Sequence, residues 1–330
     1  MHPAVISEEN SDLSEAASAL RQLLARVVKN YGGDSILLSG GLDTSIIAEL
    51  ASKTNPHLQA FTVLLKDFPS PDRHYSKLVS SKLGIGQDLI EASLDDVESA
   101  LPEVIKVLRS FDPMEIRNST AIFLGLQRAK SEGYSRVLTG DAADELFAGY
   151  NFATKLPKME ALPKLHHLWE VMHFSSIPLA ESFEIKTLLP FLDDEVRKFA
   201  TSELPFEFLV RTKDDEIFGK FILRIAFEDL LPSEIVWRKK TPIEYGSGTT
   251  VLSQIYSGKI DGSEFEEKKR RYLETDHVRL RDPEQLHYYE IYRKEFGVIT
   301  SDQTRRICPA CTSNLPERAN FCTTCGEFPV

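Results

Sequence analysis

The chain has 330 residues, 42% of them hydrophobic, and a formal net charge of −11. That length holds one large or two modest domains with a full core, and that charge argues against a nucleic-acid or membrane footprint spread over the whole molecule. Met1–Asn10 lacks the basic segment and apolar run of a secretory leader, no apolar run is long enough to span a bilayer, and the four cysteines all follow residue 307, so a reducing, cytoplasmic setting with no membrane contact is expected.

Taken in order, Leu13, Ala16, Ala17, Leu20, Leu23, Leu24, Val27 and Val28 keep helical spacing. Asp12 and Glu15 stand as a capping box and Tyr31-Gly-Gly33 as a stop, which predicts an amphipathic helix within residues 1–30. Ile36-Leu37-Leu38 then reads as a buried strand that turns through Gly40-Gly41 into an apolar-rich helix from Thr44. Leu58–Leu65 is a second strand, Pro69–Leu83 a helix stopped by Gly84, and Asp88–Ser93 a weaker strand. Helical patterning resumes at Leu94, with Pro102 expected to break it or open a new first turn. Ser119–Lys130 reads as a helix and Arg136–Thr139 as a fourth strand. After Tyr150 strand signals fade, and Val196–Ala200, Glu216–Leu231 and Glu284–Glu295 look helical. Strands alternating with helices predict an α/β fold, a doubly wound and mostly parallel sheet over residues 31–300 with a helical C-terminal half.

Two segments carry the chemistry. Ser39-Gly-Gly-Leu-Asp-Thr-Ser45 puts glycines, hydroxyls and free helix-end N–H groups where a strand meets a helix, which favours an anion. Asp43 would repel a phosphate unless a divalent cation lies between them. It is not the G-x-x-x-x-G-K-[ST] loop, since no lysine follows. Thr139-Gly-Asp-Ala-Ala-Asp-Glu145 repeats the layout, and three acids within five residues favour Mg²⁺ binding or acid–base work over simple capping.

These segments, with Pro190-Phe-Leu-Asp193, Lys220-Phe-Ile-Leu-Arg224, Leu231-Pro232 and Trp237-Arg-Lys-Lys-Thr-Pro242 in the same order, resemble the synthetase domain of glutamine-dependent asparagine synthetases over roughly residues 35–250. That family belongs to the ATP pyrophosphatases, with an adenine nucleotide alpha hydrolase-like fold. The resemblance implies an AMP-forming amide ligase that activates a small-molecule carboxylate as an acyl-adenylate and transfers it to ammonia or an amine. By the same resemblance Ser39, Gly41, Asp43 and Ser45 hold pyrophosphate, with Gly40 and Thr44 also in the cofactor loop and the working hydroxyl either Thr44 or Ser45, and Leu38, Val63, Thr139 and Gly140 line the ATP. Asp43 and Asp144 bind Mg²⁺, Lys240 stabilises charge in the transition state, and Asp141 assists at the acceptor carboxylate. Asp141 stands where the family has Glu, and Lys186 falls where it has Glu-x-Arg, so the acceptor acid is not specified. Residues 1–34 are too few for a glutaminase domain, which implies free ammonia, another amine or a separate ammonia-supplying protein.

Cys308-Pro-Ala-Cys311 and Cys322-Thr-Thr-Cys325 have the spacing of a four-thiolate Zn²⁺ site and resemble a zinc ribbon over residues 305–330. A ribbon offers an RNA or protein contact, or a cap on the helical half. Adenylation of a macromolecule and a non-catalytic ATP-binding scaffold are the competing functions.

Overall fold

Short strands from separate parts of the chain meet side by side with Ile36, Val137, Leu138 and Leu188 buried, as a parallel sheet covered on both faces requires. The computed structural model describes the backbone of residues 3–330 and the side chains from Ser11 onward; the reading of Met1–Asn10 lies outside the described side chains. In chain order the first elements are α1 (Pro3–Tyr31), β1 (Ser35–Leu37), α2 (Leu42–Ser52), β2 (Gln59–Leu65) and α3 (Asp72–Leu83). They are followed by β3 (Gly86–Ala92), α4 (Leu94–Leu108), α5 (Pro113–Ser131), β4 (Arg136–Leu138) and α6 (Ala143–Leu146). Then come α7 (Asn151–Lys155), α8 (Lys158–Val171), α9 (Ser176–Glu181), β5 (Lys186–Leu188), α10 (Asp194–Lys198) and α11 (Phe206–Leu209). The hairpin β6 (Arg211–Lys213) and β7 (Glu216–Phe218) leads to α12 (Phe221–Phe227), α13 (Ser233–Val236), α14 (Ile243–Ser247), α15 (Leu252–Lys259), α16 (Gly262–Asp276) and α17 (Pro283–Phe296).

The main sheet has five strands in the order β3-β2-β1-β4-β5, and every pairing is parallel. The order reverses between β1 and β4, whose neighbours lie on opposite sides, so the crevice beyond their C-terminal ends is the natural ligand position. Two apolar clusters sandwich the sheet. One joins Leu20, Leu24 and Val28 of α1 to Ile46 and Ile47 of α2 and Ile222 and Phe227 of α12. The other joins Phe61 and Val137 to α4, α5 and α17 and reaches the four cysteines. The doubly wound α/β class is as the sequence predicts.

Several local expectations change. α1 runs through Asp12 and Glu15, which are interior positions and not a cap. α4 continues through Pro102, an exposed residue, so the carbonyl left without a donor one turn earlier is on the solvent side of the helix. α5 begins at Pro113, capped by Asp112, rather than at Ser119. Residues 216–218 are a strand and not a helix: Asp214 and Asp215, at φ 50° and 63°, form the two-residue turn of an antiparallel hairpin. β5 adds a strand where none was expected. Lys186 opens it, exposed and paired with Arg136 at the start of β4, so it lies at the end of the strands away from the crevice.

Candidate active site

The first loop leaves β1 and closes on itself before α2 begins. Gly40 has φ +69°, and a Cβ there would fall 2.3 Å from the Tyr75 carbonyl carbon, so only glycine brings the turn against α3. Thr44 Oγ1 accepts from the Ser39 backbone N–H at 3.3 Å and lies 3.1 Å from Ser39 Oγ, which in turn accepts from the Gly41 N–H at 3.2 Å. Thr44 is therefore spent on shaping the loop. By contrast, Ser45 Oγ and Asp43 Oδ1 are buried with no hydrogen-bond partner in the protein.

The second loop leaves β4 directly beside the first. A Cβ on Gly140 would lie 3.0 Å from Asp43 Cβ and from the Thr44 backbone nitrogen, so its missing side chain lets the two loops touch. Ala142, at φ 74°, then turns the chain into α6, which carries Asp144. Lys220, only 4% exposed, lies between the loops: its Nζ is 2.6 Å from Asp43 Oδ2 and 2.6 Å from Asp144 Oδ1. Lys240 donates to the other oxygen, Asp144 Oδ2. Burial penalises the charged form of Asp144, but the two ammonium groups outweigh it and hold its carboxyl well below the usual range. Asp43 has Lys220 as its close partner, and burial raises it. Burial also opposes the charge on Lys220, which its two carboxylates nonetheless keep protonated.

Beyond the loops the crevice opens into a cavity lined by Leu37, Leu38, Phe61, Val63, Ala121 and Ile122, with Ser39, Thr44, Thr139 and Gly140 at one side and Ile243 and Ser247 at another. An apolar slot with a few hydroxyls and backbone groups suits a flat aromatic base and its sugar. Asp141 lines the same cavity. Its Oδ2 accepts from Thr139 Oγ1 at 3.0 Å and from Ser176 Oγ at 2.5 Å, and burial raises its pKa despite them.

Asparagine synthase is the family whose sequence pattern matches residues 16–185 and 178–287. The chain belongs to the asparagine synthase family. Among curated proteins it is similar to glutamine-hydrolysing asparagine synthetase 1 of Arabidopsis thaliana, 32% identical over 232 residues, covering 64% of this chain and 39% of that protein. Glutamine-hydrolysing asparagine synthetase 2 of Lotus japonicus is 29% identical over 255 residues, covering 70% of this chain and 43% of that protein. The chain thus spans about two fifths of the length of the curated relatives it matches. A solved NMN synthetase from Francisella tularensis shares 14% identity at a TM-score of 0.31, covering 72% of this chain and 94% of that chain.

Within this asparagine synthase domain, the structure brings Leu38, Val63, Thr139, Gly140 and Asp141 together around the cavity and Asp43, Asp144 and Lys240 together beside it. Lys186, where the sequence suggested an acceptor position, does not line this cavity. Five residues join the site without having been assigned a role in it from the sequence. Leu37 lines the cavity alongside Leu38, and Ser176 holds Asp141. Lys220 pairs both loop aspartates; its signal was a lysine set against the apolar run Phe221–Phe227, where a charge is buried only with partners. Arg238 donates to Gly40 O at 3.2 Å and Asp72 Oδ1 at 3.1 Å and lies 3.8 Å over the Tyr75 ring, tying the segment that bears Lys240 to the first loop. Arg224, buried, donates to Gly219 O and Arg238 O and steadies the same segment.

At the far end of α5 the four cysteine sulfurs are buried and lie within 4.8 Å of one another. Cys308 and Cys325 Sγ are 3.7 Å apart, as are Cys311 and Cys322 Sγ. A tetrahedron of thiolates bound at about 2.3 Å has an edge of about 3.8 Å, so the thiols are already placed for a four-coordinate ion. The donor chemistry of the loop site also fits a cation: Asp43 Oδ1, a carboxylate oxygen, is buried with no hydrogen-bond partner, as is the Ser45 hydroxyl two residues on.

Proposed function

We propose that this chain binds ATP with Mg²⁺ and forms an amide, joining a small carboxylic acid to ammonia or an amine with release of AMP and pyrophosphate. The observation that carries the reading is the junction at Gly140, where the two strand-end loops meet with Asp43 and Asp144 around Lys220 and with an apolar slot alongside. Membership in the asparagine synthase family supports it.

The adenine and ribose lie in the slot against Leu37, Leu38 and Val63, and the triphosphate points to the first loop. There Ser39, Gly41 and Ser45 donate to the terminal phosphates, and Asp43 and Asp144 would hold a Mg²⁺ ion, which would supply positive charge against the pyrophosphate. The substrate carboxylate oxygen attacks the α-phosphorus, and the bond from that phosphorus to the bridging oxygen breaks. Lys240, partly exposed at the mouth, turns from Asp144 to the charge that develops on the leaving group. Lys220 is too deeply buried for that task and acts by keeping the two aspartates in place. The amine nitrogen then attacks the acyl carbon, AMP departs, and a proton leaves the nitrogen. Asp141, which lines the cavity, would take up that proton, a role its raised pKa suits. The ribbon cysteines hold Zn²⁺ structurally, since four ligands leave no open position.

Incubating the protein with ATP, Mg²⁺, ammonia and a panel of carboxylic acids is expected to yield AMP and pyrophosphate in equal amounts, dependent on one class of acid. ADP and phosphate as the sole products would overturn adenylation.

A further inference from the structure

The cysteine ribbon grips the start of α5, the helix that presents Ala121 and Ile122 to that cavity. We propose that the ribbon is a working part of the nucleotide pocket, its metal occupancy setting nucleotide affinity, and that Arg117 is the positioning residue through which it acts. The proposal rests on the reading of the cavity as the nucleotide's.

The ribbon is not a free arm. The backbone N–H of Phe111 donates to Thr324 O at 2.7 Å, and Ser110 Oγ donates to Thr323 O at 2.7 Å. Gln285 Nε2 donates to Cys325 O at 2.8 Å, and Arg281 Nη1 to Gly326 O at 3.1 Å. The Arg279 N–H donates to Ala310 O at 2.7 Å. A Cβ on Gly326 would sit 2.2 Å from Asp112 Oδ1, so the knuckle backbone is pressed against the start of α5. Every one of these acceptors lies within or next to a cysteine knuckle, where metal–sulfur bonds would fix the backbone. Within the ribbon the support is one isolated β-bridge, Ile307 to Asn314, a few backbone bonds such as Cys308 N–H to Ser313 O and Leu315 N–H to Arg306 O, the Arg306 guanidinium on the carbonyls of Glu317, Ala319 and Val330, and a small apolar core around Leu315. So little core does not hold the knuckles in shape without metal.

The gripped residues are the N-termini of two helices, α5 at 110–112 and α17 at 281–285. One turn inside α5, Arg117 bridges the helices and a third: it donates to Glu284 Oε2 of α17 at 2.6 Å and to Glu244 Oε2 of α14 at 2.5 Å. Asn118 Oδ1 accepts from the Glu244 N–H at 2.9 Å, and Arg117 O accepts from Thr249 Oγ1 at 3.3 Å. α5 and α14 then present Ala121, Ile122, Ile243 and Ser247 to the cavity. The path from knuckle to pocket wall is therefore continuous, and its ionic links are buried, with Glu244 and Glu284 sharing a single guanidinium. Loosening the knuckles frees both helix starts at once, and Arg117 no longer has both acids in fixed positions.

The test uses the full chain, zinc-loaded and after stripping with a chelator, with a non-hydrolysable ATP analogue and Mg²⁺ in calorimetry and amide exchange in parallel. Stripping is expected to weaken analogue binding about tenfold. It should speed exchange in residues 109–118 and 243–251, leave residues 35–52 protected, and be reversed by zinc. Arg117→Lys, loaded with zinc, should weaken binding by itself and blunt the further effect of stripping. Unchanged affinity and exchange after stripping would overturn the proposal, as would loss of protection at 35–52 as well or a purified protein that takes up no zinc. Independent, additive effects of stripping and Arg117→Lys would remove Arg117 from the path. If the loaded protein binds no analogue at all, the nucleotide reading fails, while exchange at 243–251 still reports whether the ribbon reaches the wall.

Discussion

Where β1 and β4 end, two buried aspartates face two lysines; where α5 and α17 begin, Phe111, Tyr289 and Tyr292 pack with the cysteines in an apolar cluster. The first region gains little from desolvation and much from matching charges, so its geometry depends on every partner being present. The second gains from buried area, and its polar contacts mostly join side chains to backbone carbonyls. A ligand bringing phosphates and a divalent cation rewrites the charge balance of the first region and brings no charge to the second. The charged side is thus built to be re-paired during turnover, and the apolar side to stay still while that happens.

That contrast breaks most visibly at Lys220. Lys220→Met leaves Asp43 and Asp144 buried with a single half-exposed lysine between them, and unfolding stability should fall by about 3–5 kcal/mol in a urea titration. Lys240→Gln takes away the lysine that reaches solvent while Lys220 still answers Asp144. Stability should move by less than about 1 kcal/mol, whereas the rate of AMP formation should drop about 10²–10³-fold. A loss of stability as large as that of Lys220→Met would show that the two lysines do not differ in kind. Gly140→Ala pushes a methyl against Asp43 and Thr44, and about 1–3 kcal/mol of destabilisation is expected from thermal melts. No change there would mean the loops part easily.

The sheet and both acidic loops were legible because their signals are local: an apolar run, a glycine pair, then a hydroxyl or an acid at a helix start. β5 was not, since Lys186-Thr-Leu188 is three residues long and owes its strand state to pairing with β4. Lys220 was visible as part of a family string but not as the partner of Asp43, because a pairing across 177 residues leaves no mark in either neighbourhood. The cysteine spacing announced a metal site, yet nothing in it showed that the knuckles face inward onto Ser110 and Gln285. Pro102 and the Asp214-Asp215 turn were misread for the opposite reason: a propensity was applied without asking which side faced water or which residues flanked it.

The apolar side carries two carboxyls that burial raises toward neutrality, Asp112 to about 6 and Glu284 to about 7, and Glu284 offers the finest test of the comparison. Burial raises the Glu284 carboxyl to about 7 from an ordinary 4.5, although Arg117 and the Tyr288 hydroxyl pull it down; Asp282 pushes in the same direction as burial. Tyr256 is the other titratable group close enough to sense it. Because the folded value lies above the unfolded one, the folded state binds the proton more tightly. Its contribution to stability is complete below about pH 4.5 and is lost as the pH rises through about 7. Glu284→Gln keeps the shape and has no proton to lose. Urea midpoints for the parent chain should therefore fall relative to the variant between pH 5 and 7.5, and run parallel to it above that range. If the two midpoints keep a constant gap across the whole interval, Glu284 is ionised throughout, and the ribbon-side wall is held by a salt bridge like those around Asp144.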